Sequence, residues 1–151
     1  MPISADVRLG QRVTIFQREL VNLYGCTIGD DTRIGAFVEI QKNAIIGERC
    51  KISSHSFICE GVAIEDEVFV GHGVMFINDK FSSGGPAGGR KELWKATKVG
   101  NKVSIGSNAT ILPVSIAAGT VIGAGAVVTK DITKPGIYAG NPARLIKELP
   151  K

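Results

Sequence analysis

Little in this chain supports chemistry by metals, thiols or stacked aromatic rings. Only two histidines, His55 and His72, occur among 151 residues. A three-histidine zinc centre is beyond the chain's own supply, and no metal is expected. The three cysteines, Cys26, Cys50 and Cys59, are odd in number and lack metal-site spacing. They fit a reduced compartment, with Cys50 at an inward core position. Aromatic residues make up 6%, and Trp94 is the single tryptophan. The net charge is +4, but its lysines and arginines are scattered without aromatic interleaving. That pattern favours a basic groove for an anionic cofactor over a nucleic-acid surface. No apolar run is long enough to span a membrane. The opening Met1-Pro2-Ile3-Ser4-Ala5-Asp6 lacks a charged-then-apolar leader pattern. A cytoplasmic protein with one domain over residues 1–151 is expected.

What the chain has instead is a beat of six. Ile28, Ile34, Ile40, Ile46, Ile52, Ile58, Ile64, Val70 and Phe76 follow without a slip. Upstream stand Leu9, Ile15 and Val21, with one extra residue before Ile28. Downstream come Val99, Ile105, Ile111, Ile116, Ile122 and Val128, with one residue missing before Ile116. Neither a helix nor an ordinary strand has this period, whereas a hexapeptide solenoid does. Each unit reads as a short strand and a turn, with the aliphatic side chain inward. Gly follows the beat at positions 35, 47, 71, 100, 106 and 123, where it is expected to ease a tight corner. Small residues stand four after the beat, as at Thr32, Ala44, Ser56, Ala109 and Ala126, so that corners can stack. Three units close a triangular coil of 18 residues, giving about six coils of all-β parallel β-helix at strand spacing, ~4.8 Å per coil.

Two segments break the beat. The first is a loop over residues 77–98, rich in Gly, Ser and Pro and carrying Trp94. A long excursion from a rigid solenoid usually carries function. The second is the C-terminus, residues 133–151. Asn141 reads as an N-cap and Pro142 as the first helical residue. Leu145, Ile146 and Leu149 supply an apolar stripe, so a short helix capping the open end of the prism is expected.

The strings Ile122-Gly-Ala-Gly-Ala-Val-Val-Thr-Lys-Asp131 and Ala139-Gly-Asn-Pro-Ala-Arg144 resemble the C-terminal signature of acetyl-CoA-dependent hexapeptide acyltransferases. Val21-Asn-Leu-Tyr-Gly-Cys26, Ser54-His-Ser-Phe-Ile-Cys-Glu-Gly-Val62 and Val70-Gly-His-Gly-Val-Met-Phe-Ile-Asn-Asp79 are similar to enzymes that acetylate the 3-amino group of nucleotide-linked deoxyamino sugars. The resemblance implies a left-handed coil, acetyl-CoA as co-substrate and a homotrimer with active sites between subunits. It also implies a role in building surface polysaccharide. Phe37, Phe57 and Met75 are candidate outward contact residues. The chain departs from the pattern at Ala117, where Gly is usual, and by one residue absent between Pro113 and Val114.

Columns of residues 18 apart place the chemistry. Glu60 and Asn78 each stand two after a beat, one coil apart, at the mouth of the loop. With His72 they are the candidate catalytic residues. His55, Asp79 and Trp94 are assigned to acceptor binding. On another corner His72, Ser107 and Ala124 each follow a glycine. A pantetheine arm could lie along the bared backbone there, as the resemblance implies, with Lys130, Lys134, Arg144 and Lys147 near its phosphates. The stretch Phe76-Ile77-Asn78-Asp79 lacks the His-Pro pair of sugar O-acetyltransferases. An alcohol needs a base in the transition state, whereas a neutral amine carries its own lone pair. An amino acceptor is therefore favoured. O-acetyl transfer with His72 or His55 as base, and a non-catalytic β-helix, stay open.

Overall fold

The computed structural model describes residues 1–150. Eighteen two-residue strands follow one another from Arg8–Leu9 to Val127–Val128. Every third strand pairs in parallel with the one a coil earlier, so the strands sort into three flat sheets. The first sheet begins at Arg8–Leu9, the second at Thr14–Ile15 and the third at Asn22–Leu23. Each sheet is followed by a corner, numbered here with its sheet. The molecule is a left-handed parallel β-helix of six coils.

Two residues of each hexapeptide point inward, the beat and the residue two before it. Ile34 with Thr32, Ile40 with Val38 and Ile105 with Val103 are at most 1% exposed. Fully burying an Ile or Val contributes roughly 1.5–3 kcal/mol, and the stacked ladder repeats that gain coil after coil. The small polar members act as staples. Ser56 Oγ donates to Gly71 O at 2.8 Å and accepts from Val74 N–H at 3.2 Å. Thr32 does the same with Gly47 O and Cys50 N–H.

The corner reading needs correction. The residue that turns the chain stands three after the beat, not one. Asp31, Asn43, Arg49, Glu67, Lys102 and Asn108 all have φ between 55 and 62° there. The glycine directly after the beat serves close approach. A Cβ on Gly106 would sit 2.4 Å from Ala124 N, and one on Gly71 would sit 2.7 Å from Ser107 N. Successive backbones touch at these points and leave no room for a side chain.

Three further expectations are revised. The inward residue of the first strand of the third sheet is Leu23, 0% exposed, and Val21 takes the position two before it. The turn Arg18–Leu20 absorbs the slip. Phe57 and Met75 do face outward in register, but Phe37 lies at a corner, its ring 4.9 Å from that of His55. Finally, no C-terminal helix forms. Gly136–Ala139 pairs in parallel with Val121–Ile122, and Arg144–Glu148 returns antiparallel. The last coil offers a row of free backbone groups, and the chain satisfies them as strand. The turn between contains the cis Asn141–Pro142 bond. Leu145 and Ile146 stay exposed, so the stripe that suggested a helix buries nothing of the kind expected. The cap is a β-hairpin.

Candidate active site

The third corner carries the excursion. Ile77 N–H still donates to Ile111 O at 2.9 Å, and Thr97 is already buried ahead of strand Lys98–Val99. The loop proper is therefore 78–96, a little shorter than its expected bounds. Its neck is closed by an antiparallel bridge between Asp79 and Trp94 and by Lys95 N–H donating to Asn78 O at 2.9 Å. Asp79 and Trp94 are thus neighbours, and Asp79 also accepts from Phe81 N–H at 2.7 Å.

Glu60 and Asn78 meet at this neck as their spacing requires. Asn78 Nδ2 donates to Glu60 O at 3.3 Å. That bond turns the amide so that Oδ1 faces away, with no donor to it among the described residues. The Glu60 carboxylate accepts from Lys91 Nζ at 2.6 Å and from Asn43 Nδ2 at 3.5 Å. The Lys91 ammonium holds the Glu60 carboxyl below the usual carboxylate range. A carboxylate so stabilised is a weak base. Lys91 was not legible in the sequence, because a loop has no period to place it. Below Glu60 the polar chain continues: Gln41 Oε1 accepts from Glu60 N–H at 3.0 Å, and Gln41, Tyr24 and Asn22 all donate to Glu39.

The second corner carries the other half of the expected machinery. Ser54 Oγ and His72 Nδ1 are 2.8 Å apart, and His72 N–H donates to Ser107 Oγ at 3.1 Å. The contact orients the ring of the exposed His72. Ser54 is 18 residues from His72, so the column rule would have found it. Ala124 is exposed one coil above Ser107, and Gly125 N–H donates to Ser107 O at 2.8 Å. His55 lies on the same corner one coil below, packed on Phe37 and turned away from the Ser54 pair by its φ of 66°. Within one chain, the second-corner residues and the Glu60–Asn78 pair occupy different edges of the prism.

Lys130 and Arg144 line one cleft of about 280 Å³ with Asp131, Tyr138 and Ala143. Lys147 lies apart, opposite Ile137 on the outer hairpin strand. Lys134 borders a separate hollow with Glu148. The first corner is a ladder of mutually satisfied charges. Arg49 pairs with Glu48 at 2.8 Å and Glu67 at 3.4 Å, and Asp66 accepts from Glu48 N–H. The hollow of about 500 Å³ beside it is lined by these committed groups. All three cysteines are buried, and burial pushes the Cys26 thiol up to about 11 and that of Cys59 to about 12. None is a nucleophile at neutral pH. Among the described residues, no group of three His, Cys, Asp or Glu could hold a metal ion, and no helix is long and apolar enough to cross a membrane.

Fold and corners together define a hexapeptide-repeat β-helix with a looped site edge. Family models agree: the bacterial transferase hexapeptide model matches residues 25–60, and the hexapeptide repeat of succinyl-transferase matches 96–130. The chain belongs to the hexapeptide-repeat transferase family. The bifunctional protein GlmU of Prochlorococcus marinus is 34% identical over 146 residues, covering 96% of this chain and 30% of that protein. The chain spans about a third or less of the curated relatives it matches. Among solved structures, a variant of AntD, an N-acyltransferase from Bacillus cereus in complex with dTDP and coenzyme A, superposes with a TM-score of 0.77 at 22% identity, covering 95% of this chain and 84% of that one. A galactoside acetyltransferase in complex with coenzyme A is 28% identical, with a TM-score of 0.66 over 82% of this chain and 64% of that one.

Proposed function

We propose that this protein is an acetyl-CoA-dependent N-acetyltransferase acting on the amino group of a nucleotide-linked deoxyamino sugar, in the cytoplasm, on a route to surface polysaccharide. One observation carries the reading. The third corner already holds a primary ammonium, Lys91 Nζ, 2.6 Å from Glu60 Oε1, and Asn78, tied through Nδ2 to the main-chain oxygen of that same Glu60, keeps its acceptor oxygen free among the described residues. A receptor for one primary amine suits another. The substrate's amine would replace the Lys91 ammonium and donate to Asn78 Oδ1. Asn78 therefore acts as an acceptor that orients the amine. Its donor is committed to Glu60 O.

The chemistry needs no strong base. The bound ammonium first gives one proton to solvent; the resulting neutral amine attacks the thioester carbonyl, the carbonyl oxygen takes up the negative charge, and collapse expels the thiolate. The nitrogen then gives its extra proton to the departing sulfur, so the products are the amide and free thiol. Backbone N–H groups are the candidate oxyanion donors. Ser107 and Ala124 would flank the pantetheine arm, and Lys130 and Arg144 would meet phosphate from their shared cleft, with Lys147 left outside it. The two edges of one prism do not form a complete site, which supports a homotrimer with each site shared between neighbours. Phe57 and Met75 are proposed contact residues on its faces.

A second reading has its own observation. The Ser54–His72 pair fixes an imidazole that could deprotonate a hydroxyl, as sugar O-acetyl transfer demands. A panel of nucleotide-linked amino sugars and their hydroxyl counterparts, assayed for thiol release and product mass, tests both. Acetylation of the amines supports the proposal. Turnover confined to the hydroxyl compounds overturns it.

A further inference from the structure

A groove of about 500 Å³ runs below the third corner, lined by Asp6, Arg8, Gly25, Lys42, Asn43 and Ile45 among others. One of its wall residues touches the site just described. Asn43, in its wall, donates to Glu60 Oε1 at 3.5 Å, and Lys42 helps to keep Glu60 ionised. Asn78, Glu60 and Lys42 form one column, each 18 residues from the next. Lys42 therefore stands two coils below Asn78, on the order of 10 Å at strand spacing. That separation is comparable to the reach from a ring amine across a hexose to its anomeric phosphates.

We propose that this groove is the subsite for the nucleoside diphosphate end of the acceptor, with Lys42 and Arg8 as the phosphate-binding cations. The inference rests on the sugar-nucleotide reading above. Both cations are unclaimed: neither has a salt-bridge partner among the described residues, whereas Arg12, Arg49, Lys91 and Lys102 all have one. The nearby carboxylate is partly occupied. Asp6 Oδ1 accepts from Gly25 N–H at 2.9 Å and from the Ser4 hydroxyl, so one of its two oxygens is committed within the protein. The wall is mostly polar, with one exposed aliphatic residue. Ile45 is 54% exposed and faces outward in the same sheet as Arg8, two strands away through Thr27. Two cations, polar side chains and the exposed Ile45 match a diphosphate followed by a ribose and base. Gly25, with φ of 59°, makes the groove possible, since a Cβ there would lie 2.5 Å from the Lys42 Cβ.

The test uses the full chain and two probes, thymidine diphosphate and uridine diphosphate, with binding measured by calorimetry. Binding of at least one to the wild type is expected. Lys42→Ala and Arg8→Ala should each weaken it roughly tenfold, the loss of one charge-assisted contact. Lys51→Ala, a cation on another face, should change it little. Thermal melts of the variants guard against unfolding, which is not expected at exposed positions. If a diphosphate binds and both groove variants bind as the wild type does, the groove assignment is wrong and the acetyl-transfer reading stands. If neither diphosphate binds, the nucleotide-linked acceptor falls and the groove falls with it.

Discussion

Asn78 is the residue whose environment says most about its task. Its Nδ2 is tied to Glu60 O at 3.3 Å, so its free oxygen has one orientation to offer. Asn78→Ala should lower turnover by about 10²-fold, the low end for a lost preorganised contact. Asn78→Asp should also be poor, because a carboxylate cannot donate to Glu60 O and would swing out of place. His72→Ala should cost less than Asn78→Ala with an amine acceptor, and more with a hydroxyl one. Turnover of these variants on a matched amine and alcohol pair checks the order, and a fully active Asn78→Ala enzyme would remove the assignment. Glu60 makes a separate prediction. Its folded pKa is depressed by Lys91, so its contribution is present above the ordinary carboxylate value and is lost as pH falls through the lower folded one. The loop neck should stay docked through the ordinary carboxylate range and loosen only as pH falls below it. Trp94, the single tryptophan and part of that neck, reports it by fluorescence. Glu60→Gln should abolish the transition in that window. The Glu60–Asn78 meeting was readable from a spacing of 18, and Ser54 could have been. Lys91 could not, because its position depends on how an aperiodic loop folds back.

At the scale of single strands and corners, the two kinds of corner position predict opposite responses. Gly106→Ala puts a Cβ into Ala124 N at 2.4 Å and should destabilise by about 1–3 kcal/mol as the coils are forced apart. Lys102→Gly relieves a left-handed residue, φ 59°, at the loss of a 3.6 Å surface contact to Glu67, and should raise Tm slightly. Thermal melts of the pair decide whether the glycine after the beat serves close approach. If Gly106→Ala were harmless, that account would be wrong. The period alone could not separate these roles, since both residue types favour turns. The C-terminal hairpin was misread for a related reason. Asn141, Pro142 and three apolar residues carry valid helix signals, but the last coil presents an unpaired strand edge, and edge pairing outweighs local propensity. The loop is a third element with its own test. Replacing Ser82–Gly89 by a short Gly-Ser linker should leave the coils folded, since neighbours in a solenoid support each other locally. Acceptor binding should fall while acetyl-CoA binding persists. Unchanged kinetics would make the loop a mere insertion.

The whole molecule is a prism whose candidate site residues lie on different edges. Its period announced the coil count, most of the inward residues and which side chains share a column, because each follows from 18 residues per turn; at the N-terminal edge it failed, where Leu23 and not Val21 is the inward strand residue and Leu9 is exposed. It could not announce what one prism lacks. Glu60, Asn78 and Lys91 lie on the third corner, whereas Ser54, His72, Ser107 and Ala124 lie on the second. A site needing both must borrow one from a neighbour, and a cyclic trimer gives every subunit the same two half-sites. Two inactive variants should then rescue each other. Asn78→Ala removes the acceptor half, and Ala124→Trp blocks the exposed corner proposed for pantetheine. Each alone should have little activity while remaining trimeric by sedimentation. Co-expressed in equal amounts, they should mix at random. Each mixed trimer then has one interface built from two intact halves, so about one quarter of all sites should recover. Sites built within single chains would recover nothing, because every chain in the mixture carries one lesion. A stable monomer at micromolar concentration with full activity would exclude the shared site by a different route.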